Sequence, residues 1–127
     1  MTIRTLYSLI ESPLFPNMFD LCQARQINEL RFDSIRKAIS SLRTNKPDIV
    51  VGEFVYGYGN NYAGVNVSNL DVFLYSLQKY APQAKVIVVV EKSERQYVGK
   101  LAELFELHAI LNLPVSLTEL ETEINRI

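Results

Sequence analysis

Pro47-Asp48-Ile49-Val50-Val51-Gly52-Glu53 is a short apolar run introduced by a proline and closed by a carboxylate. Ile49, Val50 and Val51 are consecutive and apolar, so neither face of this segment is suited to water. A strand of that kind lies inside a sheet covered on both sides. Lys85-Val86-Ile87-Val88-Val89-Val90 repeats the pattern and is the clearest strand in the chain. Amphipathic segments stand between and around these runs. The alternation is the signature of a parallel sheet with crossover helices.

Working outward toward the N-terminus, residues 3–9 and 27–32 read as strands, the second mixing polar and apolar residues as an edge strand does. Residues 15–26 between them read as a helix, opened by Ser12-Pro13 or begun at Pro16, which is tolerated only in the first turn. Asp33 is the expected N-cap of the next helix, with Ile35, Ala38, Ile39 and Leu42 as its buried stripe and Pro47 as its stop. Toward the C-terminus, a helix is expected from Ser68, with Leu70, Phe73, Leu74 and Leu77 on one face and Pro82 at its end. Ser93-Glu94-Arg95-Gln96 matches a capping box and predicts a helix burying Val98, Leu101, Leu104 and Phe105. Residues 109–113 form a last strand. After Pro114, a second capping box at Ser116-Leu117-Thr118-Glu119 opens a final helix with Leu117, Leu120 and Ile124 inward. The sum is five βα units. Right-handed crossovers then place helices on both faces of a five-stranded parallel sheet, a three-layer α/β/α domain over residues 1–127, and the commonest such arrangement at this size is the flavodoxin-like order 2-1-3-4-5.

Composition narrows the function classes. With 127 residues, 48% hydrophobic and 21% charged, the chain is typical of one soluble domain. A net charge of -1 argues against direct nucleic-acid binding by this domain. The absence of a leader pattern or a long apolar stretch leads us to expect a cytoplasmic protein that does not enter a membrane. One cysteine, Cys22, reads as a small apolar core side chain, and one histidine, His108, cannot build a multi-His metal site. Neither a nucleophilic triad nor a phosphate-loop or dinucleotide motif is present, so no cofactor and no enzymatic activity is expected.

Three strings resemble response-regulator receiver domains: Pro47 to Glu53 their third strand, Lys85 to Val90 their fourth, and Ala109-Ile110-Leu111-Asn112-Leu113-Pro114 with the following helix their fifth strand, proline and last helix. The resemblance implies a phosphoryl-accepting aspartate at the end of the third strand, where this chain has Glu53. It implies Mg²⁺-holding acids after the first strand, where only Glu11 stands. A Ser or Thr ending the fourth strand is replaced by Val90, a lysine before the proline by Leu113, and the aromatic switch of the fifth strand by Ile110. Acyl-phosphate chemistry needs a placed carboxylate, a divalent cation and a cation or hydroxyl to take the transferred charge. The expectation is therefore a pseudo-receiver: a signalling module that works through protein contacts without phosphorylation, with no metal.

Three further features bear on function. Residues 56–67 form a long loop in which Tyr56, Tyr58 and Tyr62 alternate with glycines and with Asn60 and Asn61, the composition of an adaptable binding loop. The alternative to the signalling reading is a small-ligand or nucleotide site at the carboxyl ends of the strands, lidded by this loop. Glu11, Glu53 and Glu91 stand near those ends, where carboxylates that converge hold Mg²⁺ or Ca²⁺. The resemblance also implies that the face of the fourth helix, fifth strand and fifth helix docks a protein partner or pairs a homodimer; here it would carry Arg95, Lys100 and Glu103 on one helix, Glu119 and Glu123 on the last, and Ile110 between them.

Overall fold

The computed structural model describes residues 3–57 and 67–127. Among them, five strands form one parallel sheet in the order β2-β1-β3-β4-β5, as the sequence predicts: β1 Arg4–Leu9, β2 Ile27–Arg31, β3 Ile49–Glu53, β4 Lys85–Glu91 and β5 Ala109–Leu113. The helices are α1 Phe19–Ala24, α2 Ile35–Ser41, α3 Asp71–Tyr80, α4 Val98–Ala102 and α5 Leu117–Asn125, with a 3-10 segment at Lys92–Tyr97 leading into α4. No described helix is long and apolar enough to cross a membrane.

The continuous apolar runs do what their pattern requires. Along β3 and β4, Val50, Val88 and Val90 enter the core shared with α2, α3 and α4, while Ile49, Val51, Ile87 and Val89 enter the core shared with α1 and α5. The period of two thus splits one hydrophobic run between two cores. Gly52 carries a packing reason the sequence reading did not assign. A Cβ there would lie 3.1 Å from Leu70 Cδ2, so glycine lets the start of α3 settle on β3.

Helix bounds depart from expectation at three starts and one end. α1 begins at Phe19, not near residue 15. Ser12 closes a turn instead, with its carbonyl taking the Phe15 N–H and its hydroxyl the Leu14 N–H, and Asn17 Oδ1 accepts from the Phe19 N–H. Ser34, not Asp33, caps α2, its hydroxyl accepting from the Lys37 N–H at 3.1 Å, while Asp33 pairs with the Lys37 ammonium. α2 also ends at Ser41, where turns to the Ser41 carbonyl from Thr44 and Asn45 stop it well before Pro47. α3 begins at Asp71, three residues after Ser68.

The capping box expected at residues 93–96 does not form. Gln96 donates to the Ser93 carbonyl, no side-chain cap is made, and the segment stays 3-10 until Val98. Leu104, expected inside, lies 47% exposed beyond the short helix. The second box does form: Ser116 accepts from the Glu119 N–H and Glu119 accepts from the Ser116 N–H. Leu120 and Ile124 are buried behind it, whereas Leu117 is 42% exposed.

Candidate functional site

The carboxyl ends of β1 and β3 meet at Glu53. Its Oε1 accepts the backbone N–H groups of Glu11 and of Ser12, both at 2.9 Å. The extra methylene of Glu relative to Asp lets the carboxylate cross from β3 to the β1–α1 connection and close that loop from within. Two N–H donors on one charged oxygen are charge-assisted bonds, stronger than neutral ones. Glu11 itself points its side chain to solvent.

The other positions expected to line the pocket are apolar and buried. Val90 is fully buried in the core beneath α3 and α4, and Leu113 is buried against the α1 and α5 side. The sheet therefore sends these two side chains to opposite faces. Glu91, at the end of β4, is exposed. Glu11, Glu53 and Glu91 do not gather: among the described residues no group of three or more His, Cys, Asp or Glu side chains is placed to hold a metal.

A cavity of 160 Å³ opens beside Glu53, lined by Leu9, Glu11, Phe32, Asp33, Val55 and Asn69 among others. Asn69, which the sequence reading passed over, is the organiser of its floor. Its Nδ2 donates to the Glu53 carbonyl and its Oδ1 accepts the Val55 N–H, each at 2.8 Å. Next to it Asp71, completely buried, accepts from the Val67 N–H, the Ser68 N–H and the Ser68 hydroxyl. Ser68-x-x-Asp71 has the spacing of a helix-capping motif, which was the available signal for Asp71, while no local motif marks Asn69.

Tyr58, Asn60, Asn61 and Tyr62 of the expected binding loop lie outside the described residues. Tyr56 is described. It bridges antiparallel to Ser68, its N–H goes to Glu94 Oε1 at 3.0 Å, and its ring stacks on Tyr97 with centroids 3.8 Å apart and planes 14° from parallel. Glu94 thus serves the root of the 56–67 loop. Nothing in the sequence separates Tyr97 from an ordinary helical aromatic.

On the expected interface, Arg95 donates to the Ile110 carbonyl and to Asn112 Oδ1, Glu119 is engaged in its capping box, and Glu123 meets both His108 and Arg126. These charges have partners within the chain. Lys100 and Glu103 are exposed on and just after α4, and Ile110 is partly buried against the core. Cys22 is buried in α1, and burial, reinforced by the nearby Glu29 carboxylate, pushes its thiol up to about 11. A thiol so placed is a core side chain.

No protein-family model and no curated protein matches the sequence. Solved structures match its fold. A receiver domain protein (CheY-like) from Methanospirillum hungatei JF-1 superposes with a TM-score of 0.69 at 9% identity, covering 98% of this chain and 93% of that one. The inactive form of the regulatory domain of RitR, a repressor of iron transport regulator, gives 0.70 at 16% identity, covering 97% and 93%. The signal receiver domain of a putative LuxO repressor protein from Vibrio parahaemolyticus gives 0.67 at 12% identity, covering 98% and 89%. At such identities the likeness is one of fold, and this chain has the flavodoxin-like fold of receiver domains.

Proposed function

We propose that this chain is a regulatory module of receiver type that acts by protein contact and takes up no phosphoryl group. The observation that carries the reading is the engagement of the Glu53 carboxylate by the Glu11 and Ser12 N–H groups. Both bonds fall on Oε1 and fix how the carboxylate lies across the β1–α1 connection, so the direction of its other oxygen is set by that loop and not by an incoming phosphorus, and angstrom-scale misplacement costs about 100-fold. Buried Val90 and Leu113 support the same reading, since neither offers a hydroxyl or an ammonium to the transferred charge. Among the solved structures of like fold, the three named above are described as a response regulator receiver domain, a regulatory domain and a signal receiver domain, which favours signalling as the setting. On this reading the module is cytoplasmic, is not an enzyme and answers to partner binding, with the 56–67 loop rooted by Tyr56 and Tyr97 as the contact element.

The small-ligand reading has less behind it. Among the described residues the cavity beside Glu53 measures 160 Å³, below the ~300–1,000 Å³ of typical ligand sites. Intact-mass spectrometry after incubation with acetyl phosphate and Mg²⁺ tests the proposal. The expected result is an unchanged mass, alongside a positive result from an ordinary receiver treated in parallel. A phosphoryl adduct on any aspartate or glutamate of this chain overturns it.

A further inference from the structure

We infer that the open edge of β2 is a self-pairing surface, at which two copies of the chain join antiparallel about a two-fold axis through Leu30 and merge their sheets into one. This lies on the side of the sheet away from β5 and the α4–α5 face.

β2 pairs only with β1 among the described strands, with Tyr7 opposite Leu30 and Ser8 opposite Arg31. The Phe32 N–H bonds the Ser8 carbonyl at 3.0 Å. Backbone polar groups alternate sides along a strand, so Leu30 and Phe32 turn theirs toward β1, while Glu29 and Arg31 turn theirs outward. An antiparallel copy placed with Leu30 opposite its own image sets Glu29 opposite the partner copy's residue 31, and the reverse. That register pairs the outward N–H and C=O groups of both strands.

The side chains fit the same register. Glu29 and Arg31 project on one face, where they already meet at 3.2 Å, the Glu29 side chain 10% exposed and the Arg31 side chain 60% exposed. Across the axis the four charges alternate in sign around a ring, each carboxylate between two guanidinium groups. On the other face Leu30, packed only in part against the core, meets its image. Phe19, 58% exposed, lines the groove that runs along β2 beside Glu29 and Arg31 and gives the joint apolar cover. Charges that merely guard an edge repel a second copy. This pair, two residues apart and opposite in sign, attracts one in this register. A joint of one short strand per copy covers less than the ~1,600 Å² of a standard interface, so the association is weak and depends on concentration and salt.

Sedimentation velocity across the micromolar to millimolar range tests this. The wild type is expected to shift toward dimer as concentration rises. Arg31→Glu is expected to stay monomeric, as is Glu29→Arg, each facing like charge across the axis. An equal mixture of the two is expected to dimerise again, because each then complements the other. Arg31→Pro removes an outward N–H and no bond to β1, so it also abolishes dimer without unzipping the sheet. It decides the matter if Glu29→Arg does not fold. A wild type monomeric throughout, a dimer untouched by Arg31→Glu and Arg31→Pro, or a mixture of folded charge variants that stays monomeric overturns the inference.

Discussion

Cys22 and Tyr7 lie on opposite faces of the sheet, and both hold a proton that burial makes hard to remove. The thiol of Cys22 is raised from 9.0 to about 11, first by burial and then by the Glu29 carboxylate. The phenol of Tyr7, completely buried with its hydroxyl donating to the Asn45 carbonyl and accepting from the Ser41 hydroxyl, is raised from 10.0 by burial, with the Ser41 bond opposing. A group whose folded pKa stands above its unfolded value adds stability below the unfolded pKa, and that stability is lost as pH climbs through the folded value. The free energy of unfolding should therefore be flat up to about pH 9 and fall between pH 9 and about 11. Urea titrations across that range check it, and Cys22→Ala, though less stable overall, should show a shallower fall. Glu53 illustrates the converse use of a carboxylate, which here satisfies two loop N–H groups directly. That role was not visible in the sequence, because the spacing between residues 11 and 53 depends on how β1 and β3 lie side by side.

At the scale of elements, the two candidate capping boxes read alike in sequence and end differently. Ser116 and Glu119 find only each other, and the box forms. In the first string Gln96 turns its Nε2 to the Ser93 carbonyl, no side-chain cap is made, and the segment stays 3-10. A local motif predicts a helix start only where its own two side chains bond as the box requires. The turn leading into α3 is held instead by a buried acid, Asp71, the first residue of that helix. Asp71→Ala would leave the Val67 and Ser68 N–H groups and the Ser68 hydroxyl without their acceptor. Unsatisfied buried donors cost about 1–3 kcal/mol each, partly recovered by relaxation, so a loss of about 3 kcal/mol is expected. Asp71→Asn, which keeps one acceptor oxygen, should lose less. The urea midpoint should move with its slope unchanged if the effect is on the folded state alone.

For the molecule as a whole, the five βα units and the layer count followed from period and punctuation, since runs such as Ile49-Val50-Val51 and Val86 to Val90 are buried on both faces, whereas the strand order was the commonest one for a chain of this size. What escaped were the pairwise meetings across layers, Asn69 with Glu53 and Tyr97 with Tyr56, which depend on distances that no one-dimensional pattern encodes. The same two-faced burial has an energetic consequence. Val88 is fully buried on the α2, α3 and α4 side, and Ile124 on the α1 and α5 side, so the sheet stands between them. Trimming each should cost its own methyl groups, about 1 kcal/mol for Ile124→Val and about 2 kcal/mol for Val88→Ala. Both cores share the β3 and β4 backbone, so either loss should lower a single cooperative transition and not melt one layer alone. Residues without a common partner add, so the double variant should lose the sum to within about 0.5 kcal/mol. Circular dichroism and tyrosine fluorescence should follow the same urea curve in all three variants. Separate curves for the two probes would mean that each helical layer unfolds by itself, and a sum missed by more than 1 kcal/mol would mean that strain passes through the sheet from one core to the other.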